Sequence, residues 1–327
     1  HLLDRVERAM QLVRYFHNRY EHLGVIWHDR ILNLPEGLTV MQVLNMDLKD
    51  RDYMQGQAGK HFNAPIDSVQ LLPPVDPKAM RDFVTFEGHI AGMKKSEPGD
   101  GTVPAHWYEA PVFYFMNPHT VYGGNADIPA AAYTASMDYE LEVAVILKKP
   151  AVNVTPEEAR ELIAGYCILN DWSARDVQKK EMSVGLGPSK GKDFATTIGP
   201  WITTPEELEK YREGDRLALD MSVSVNGVRM GGDNLRNMGW SFEQMISHAS
   251  RSSYVGVGDV LASGTAHSGS LAEHWSKNKS QTPPPLKPGD VVEMTVTGLG
   301  TIRNRIVEPL GADIDLGPVK RVPLDDH

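Results

Sequence analysis

The sequence predicts a mixed, sheet-dominated α+β fold, on three observations. Runs of β type recur along the chain, among them YELEVAVIL, AGYCILND, LDMSVSVNG, GDVLASG and GDVVEMTVTG, several opened by Gly-Asp turns or closed by glycine. Helix starts are few and do not alternate strictly with these runs, which counts against a doubly wound nucleotide fold. There is also no GxGxxG after a strand, no GxxxxGK[ST] and no repeat of fixed period. With 327 residues, 41% of them hydrophobic and 23% charged, the chain is long and apolar enough to bury one large domain or two modest ones.

Taken in order, residues 12 to 34 hold short β-rich stretches, LVRYFH, GVIWHD and ILNLP, with His28-Asp29 at a hairpin turn. The segment Leu71 to Pro77 carries three prolines in seven residues, which favours extended chain over helix or central strand. A boundary is placed there, between a small β domain at 1–72 and a larger domain at 73–327. Thr155-Pro156-Glu157-Glu158 and Thr204-Pro205-Glu206-Glu207 each place a hydroxyl at a helix N-cap, proline at the first helical position and glutamate at the third. Ser241 with Gln244 is a third such box. GLGPSKGK at 185–192 lacks both the spacing of a phosphate loop and its hydroxyl after the lysine, and is read as a mobile cover. The segment Ser270 to Pro285, polar and proline-rich, is expected to run as a surface loop after Glu273.

Charge narrows the partners. With 33 basic and 43 acidic residues the formal charge is -10, which argues against nucleic acid and against anionic membrane surfaces. An anionic substrate therefore needs a local positive site. The single cysteine, Cys167, excludes an intramolecular disulfide and is read as buried. No run approaches eighteen apolar residues. The segment His1 to Phe16 mixes Asp4, Arg5, Glu7, Arg8 and Arg14 with its apolar residues and leaves no hydrophobic region for a secretory signal, so a cytoplasmic location is expected.

The chemistry centres on Asp138 to Leu147. With a period of two, Tyr139, Leu141, Val143, Val145 and Leu147 share one face of a strand, while Glu140 and Glu142 share the other with Ala144 and Ile146. Two carboxylates then project together, roughly 7 Å apart at Cα. A solvated face would leave them without special meaning, but Ala144 and Ile146 continue that face as apolar residues, which takes it inside. Buried like charges need a counter-ion. Asp171 ends the apolar run GYCIL, and a third carboxylate there completes an oxygen-rich site of the kind Mg²⁺ or Ca²⁺ prefers. Arg175 and Gln178, three apart, meet on one helical turn after Asp171; the alternative for Arg175 and Asp176 is a surface ion pair.

The motifs NDWSARDVQ, MDYELEVA, RDFVTFEGH, GKDFATTIGPW and ASGT, followed by Glu273, occur in the order seen in the fumarylacetoacetate hydrolase family, which residues 76 to 310 resemble. The resemblance implies a largely antiparallel fumarylacetoacetase-type β-roll with peripheral helices, preceded by a small SH3-like β-barrel, and a homodimer. It also implies a divalent ion, Mg²⁺ first with Ca²⁺ or Mn²⁺ as alternatives, held by Glu140, Glu142 and Asp171, with Asp82 added seven residues before His89.

In the same resemblance His89 pairs with Glu273 to activate water, Arg175, Gln178 and Lys192 surround the developing oxyanion, and Tyr122 and Thr265 lie near the substrate. Glu87 is an alternative partner for His89, whereas His119 and His267 receive no role. The implied reaction is hydrolysis of a C–C bond in a β-diketo acid of the fumarylacetoacetate or acylpyruvate kind. Decarboxylation, dehydration or isomerisation of a 2-oxo acid on the same metal is the nearest alternative, and a catalytically silent metal-binding scaffold a more distant one. Three departures bear on the substrate rather than the metal: one extra residue between Asp171 and Lys192, Val84 in place of a substrate-contacting tyrosine, and one residue fewer between Glu273 and Trp275. Shorter family members carry a glutamate three residues after the histidine; here that position is Gly92, which favours the His89–Glu273 pair and hydrolysis.

Overall fold

The computed structural model describes residues 9–60, 62–94 and 102–324. The N-terminal residues 1–8, part of the stretch read for a secretory signal, lie outside it. Its main body is a twelve-stranded sheet. Along that sheet the order is Asn63–Pro65, Arg30–Asn33, Tyr20–Trp27, Gln11–His17, Thr196–Thr203, Ile163–Asp171, Leu141–Leu147, Val260–Ala262, Met80–Phe83 and Phe113–Phe115, with Gln70–Leu71 and Val121–Tyr122 attached at its side. A five-stranded sheet, ordered Val228–Asn234, Asp220–Val225, Val291–Val296, Gly300–Val307 and Ile128–Pro129, packs against it. Most pairings are antiparallel; 121–122 on 196–203, 80–83 on 260–262 and 128–129 on 300–307 are parallel.

Strand Leu141–Leu147 is central and buried throughout. Its odd-numbered residues join the larger core with Met221, Val223, Val292 and Met294 of the second sheet. Ala144 and Ile146 join a separate core on the other face, with Leu12, Val40, Val43, Leu44, Met80, Cys167 and Leu169. Both faces are therefore dry, as the apolar continuation past Glu142 implies. Cys167 is buried, and that burial pushes its thiol up to about 12.

The N-terminal strands form a meander with a small core of their own, Val13, Tyr15, Ile31, Ala64, Val69 and Leu71, joined by Trp201. They also continue the large sheet, since Gln11 and Leu12 pair with Thr203 and Ile202. Among the described residues no ladder closes Asn63–Pro65 onto Gln70–Leu71. The β-rich character agrees with expectation; Gln11–His17 pairs with Gln70–Leu71 as well as with Tyr20–Trp27, and the short turn Ile66–Ser68 lies between Asn63–Pro65 and Gln70–Leu71.

Two helix expectations need correction. The boxes at Thr155 and Ser241 are present in full, capping Pro156–Arg160 and Phe242–Ala249. Thr204, however, does not cap Pro205–Leu208 through its side chain. Its Oγ1 instead accepts from the Met10 N–H at 2.8 Å, as part of the seam between the N-terminal strand and the main sheet. The loop expected after Glu273 begins later, because Glu273 lies within a helix, Leu271–Asn278, and the chain becomes irregular only beyond it. Ser270 accepts from the Glu273 N–H at its start, and Lys279 in the left-handed region ends it. Among the described residues no helix is long and apolar enough to cross a membrane.

Candidate metal centre and active site

Strand alternation brings four carboxylates together. Asp82 shares a sheet face with Met80, Glu142 with Ala144 and Ile146, and Asp171 with Cys167 and Leu169, so three strands of one sheet, two of them adjacent and the third beyond Val260–Ala262, present acids toward the same side. Glu140 lies just ahead of strand 141–147, where its N–H donates to Asn170 Oδ1 at 3.0 Å and its carbonyl accepts from Asp171 N at 3.3 Å. Asp82, Glu140, Glu142 and Asp171 are all buried, and each offers one oxygen within 4.8 Å of the others.

Two cations meet them. Lys192 Nζ lies 2.8 Å from Glu140 Oε1 and 3.0 Å from Asp171 Oδ2, and donates to Ser173 Oγ at 2.6 Å. Arg175, first residue of helix Arg175–Val184, lies 2.8 Å from Glu140 Oε1 through Nη1, which also donates to Gln178 Oε1 at 3.1 Å. The turn joining Arg175 to Gln178 is as expected, but Arg175 and Asp176 form no surface pair: Asp176 accepts from Thr134 Oγ1 and the Ala135 N–H.

The electrostatics divide the cluster. Burial alone would raise Glu140, but Lys192 and Arg175 outweigh it and hold its carboxyl well below the usual range. Burial first, and then the negative neighbours, push Asp82 and Glu142 well above that range. Asp171 is raised for the same first reason, with Lys192 opposing. Asp82 Oδ1, Glu142 Oε1 and Asp171 Oδ1 are buried with no hydrogen-bond partner. Oxygens left in this condition are expensive unless a cation neutralises them, and an all-carboxylate set is the chemistry a hard divalent ion takes. The residues fit the expected ion.

Several members of the site carry no sequence signal. Tyr114, on strand 113–115, donates its hydroxyl to Asp171 Oδ2 at 2.5 Å. Asp138 is fully buried and accepts from Arg175 Nε at 2.9 Å and from the N–H groups of Leu271 and Ala272. It ties the arginine to the start of the helix that carries Glu273. The tight turn at Gly264, with φ +82°, aims its N–H at Glu142 Oε2, 3.1 Å away. A Cβ there would lie 2.3 Å from the Phe83 carbonyl oxygen, so glycine is required.

His89, on helix Glu87–Lys94, and Glu273 are both buried. Their closest approach, His89 Nδ1 to Glu273 Oε1, is 3.5 Å, a charge contact without hydrogen-bond alignment. The same Glu273 oxygen is 3.2 Å from Nδ1 of His267. Glu87 is engaged by the Tyr108 hydroxyl instead of His89. A Cβ at Gly92 would sit 2.7 Å from Glu273 Oε1, so a side chain at 92 and the Glu273 carboxylate compete for one space. Thr265 is buried directly after the Gly264 turn, and Tyr122 is partly buried on the strand paired with Thr196 and Thr197. Two surface clefts of about 450 and 500 Å³ are lined elsewhere, around Arg14 and His22 and around Lys49 and Lys148, and neither involves the carboxylates.

Known proteins share sequence and fold with this chain. The chain is 30% identical over 198 residues to a 2,4-didehydro-3-deoxy-L-rhamnonate hydrolase of Sphingomonas sp. (strain SKA58), covering 61% of this chain and 65% of that protein. It thus spans about two thirds of that relative's length. It is 28% identical over 248 residues to the oxaloacetate tautomerase YisK of Bacillus subtilis, covering 75% of each. Among solved structures, maleylpyruvate hydrolase from Sphingobium sp. SYK-6, in complex with manganese(II) ion and pyruvate, superposes with a TM-score of 0.67 at 20% identity, over 92% of this chain and all of that one. The family model "Fumarylacetoacetate (FAA) hydrolase C-terminal" matches residues 78–307, the stretch that holds every carboxylate of the cluster, and the chain belongs to that family.

Proposed function

We propose that this chain is a divalent-metal-dependent hydrolase that cleaves a C–C bond in a small β-diketo acid of the acylpyruvate or fumarylacetoacetate kind. The observation that carries the reading is the convergence of four buried carboxylates with Lys192 and Arg175, beside a buried histidine and glutamate. Asp82, Glu140, Glu142 and Asp171 would hold the ion, Mg²⁺ first, with Ca²⁺ or Mn²⁺ as alternatives. The manganese(II) ion and pyruvate in complex with the Sphingobium maleylpyruvate hydrolase support both an ion of this class and a 2-oxo acid ligand. When bound, the ion supplies Lewis-acid chemistry to the substrate's oxygens and to the enolate that leaves.

The remaining work falls to the protein. His89 takes a proton from water, and Glu273 stabilises the imidazolium that results. Arg175 Nη2 is buried without a partner, so it can donate to the oxygen that becomes negative on attack, with Lys192 and Gln178 close by. His89 then returns its proton to the leaving carbon. Tyr114 and Ser173 hold Asp171 and Lys192 in place.

Similarity to an oxaloacetate tautomerase favours a second reading, keto-enol conversion of a 2-oxo acid at the same site. His89→Asn separates the two. Assayed on acylpyruvates with Mg²⁺, it is expected to lose roughly 10²–10⁴-fold in kcat. Full hydrolytic activity in that variant, or tautomerisation of oxaloacetate by a wild-type protein that hydrolyses no diketo acid, would replace hydrolysis with the second reading.

A further inference from the structure

We propose that His267 is the proton exit of this site, relaying through Glu273 the proton that C–C hydrolysis releases from the buried His89. The proposal rests on the hydrolytic reading above. Glu273 Oε1 stands between two imidazoles, 3.5 Å from His89 Nδ1 and 3.2 Å from His267 Nδ1, and only the second is aligned as a hydrogen bond. The three groups differ in access. The side chains of His89 and Glu273 are 10% and 7% exposed, whereas that of His267 is 59% exposed. A continuous line of titratable atoms therefore runs from the buried dyad to water.

The helix that carries His89 leaves room for this line. A Cβ at Gly88 would lie 3.1 Å from Cγ of His267, and one at Gly92 would lie 2.7 Å from Glu273 Oε1. Glycines thus stand at the two places where the relay passes the helix. His267 is fixed at its root by its N–H, which donates to Asp233 Oδ2 at 2.9 Å. Among the described residues, the charged groups in contact with it are Glu273, at the ring, and Asp233, at the backbone N–H. Glu87, next to Gly88, is held by Tyr108.

The reaction requires such a route. Water's oxygen forms a bond to the attacked carbonyl carbon, and the C–C bond beside it breaks with its electron pair leaving on carbon. One proton of the water, taken by His89, ends on that carbon. The other remains on the new carboxylic acid, which ionises near neutral pH, so each turnover delivers one proton to solvent. The acid gives it to the ring nitrogen of His89 that faces away from Glu273, free again once the first proton has gone to carbon, and the imidazolium then releases its Nδ1 proton to Glu273. His267 receives it at Nδ1 and loses the proton of its other nitrogen to water, which restores the starting charges.

The test is His267→Gln in the full chain with saturating Mg²⁺ and an acylpyruvate substrate, in dilute buffer of fixed pH and ionic strength, with and without added imidazole. Because a relay acts behind the base, kcat is expected to fall by about tenfold, less than the roughly 10²–10⁴-fold of a direct base, with KM unchanged. Imidazole is expected to restore kcat in a saturable manner, while wild type stays flat. A variant as fast as wild type in dilute buffer, or a slow one that imidazole does not restore, would overturn the relay and leave the hydrolytic reading standing. A wild-type protein that hydrolyses no diketo acid would remove both.

Discussion

Replacing Glu142 by glutamine should stabilise the metal-free protein and abolish its response to metal. Glu142 is fully buried, and its nearest charges are Asp82, Glu140 and Asp171, within 4.8 Å for the oxygens that converge. At an effective dielectric constant near 20, two like charges at that distance repel by roughly 3 kcal/mol. Proton uptake relieves part of this, which is why burial and the neighbouring acids drive Glu142 and Asp82 upward. The sign follows from those raised values. The folded state binds protons that the unfolded chain releases, so stability is present below the ordinary carboxylate value of about 4 and is lost as pH rises above it. Glutamine keeps an acceptor for the Gly264 N–H, so little else changes. Metal-free Glu142→Gln should gain about 1–3 kcal/mol at pH 8, a rise of about 1.5–4.5 °C in Tm for a chain of this length, and much less at pH 5. Wild type should recover a similar amount when Mg²⁺ is added, about 2.7 kcal/mol at a hundredfold excess over Kd, and the variant should not. Thermal scans at both pH values, with Mg²⁺ and with chelator, measure this. A variant that is less stable at pH 8, gains equally at both pH values, or responds to Mg²⁺ as wild type does would refute the reasoning.

Two further substitutions probe other parts of the site. Lys192→Met removes a cation beside Glu140 and Asp171 while leaving the carboxylates, so kcat should fall by about 10²–10³-fold with Mg²⁺ affinity equal or tighter by calorimetry. Gly264→Ala places a methyl 2.3 Å from the Phe83 carbonyl oxygen at positive φ and displaces the N–H held by Glu142. It should cost about 1–3 kcal/mol in a denaturant titration and weaken Mg²⁺ binding as well.

What the sequence disclosed was local. The strand with Glu142, and Glu140 just ahead of it, could be read because an apolar period of two continues past the acids on both faces, and the Arg175–Gln178 turn because three residues make a helical step. The boxes at Thr155 and Ser241 are complete within four residues. Asp138, Tyr114 and Ser173 went unread because each works through a partner more than fifteen positions away and has no pattern of its own. Thr204 carries the same local signal as Thr155, but the N-terminal strand captures its hydroxyl, a tertiary contact that overrides capping. The helix at 271–278 did announce itself, through Ser270 followed three residues later by Glu273, and the polar, proline-rich run behind it masked that signal. Nor does any local feature state that strand 11–17 joins strand 196–203. The meeting of Asp82 with Asp171 likewise depends on strand order, and only the family resemblance connected them beforehand.

The proposed function requires that Asp82, Glu140, Glu142 and Asp171 share one divalent ion. The most direct measurement is an anomalous difference map from a crystal grown with Mn²⁺. A single strong peak is expected, with carboxylate oxygens from at least three of these residues at about 2.0–2.6 Å. A map with no peak there, or with the ion elsewhere and the four side chains turned away from a common point, would contradict it.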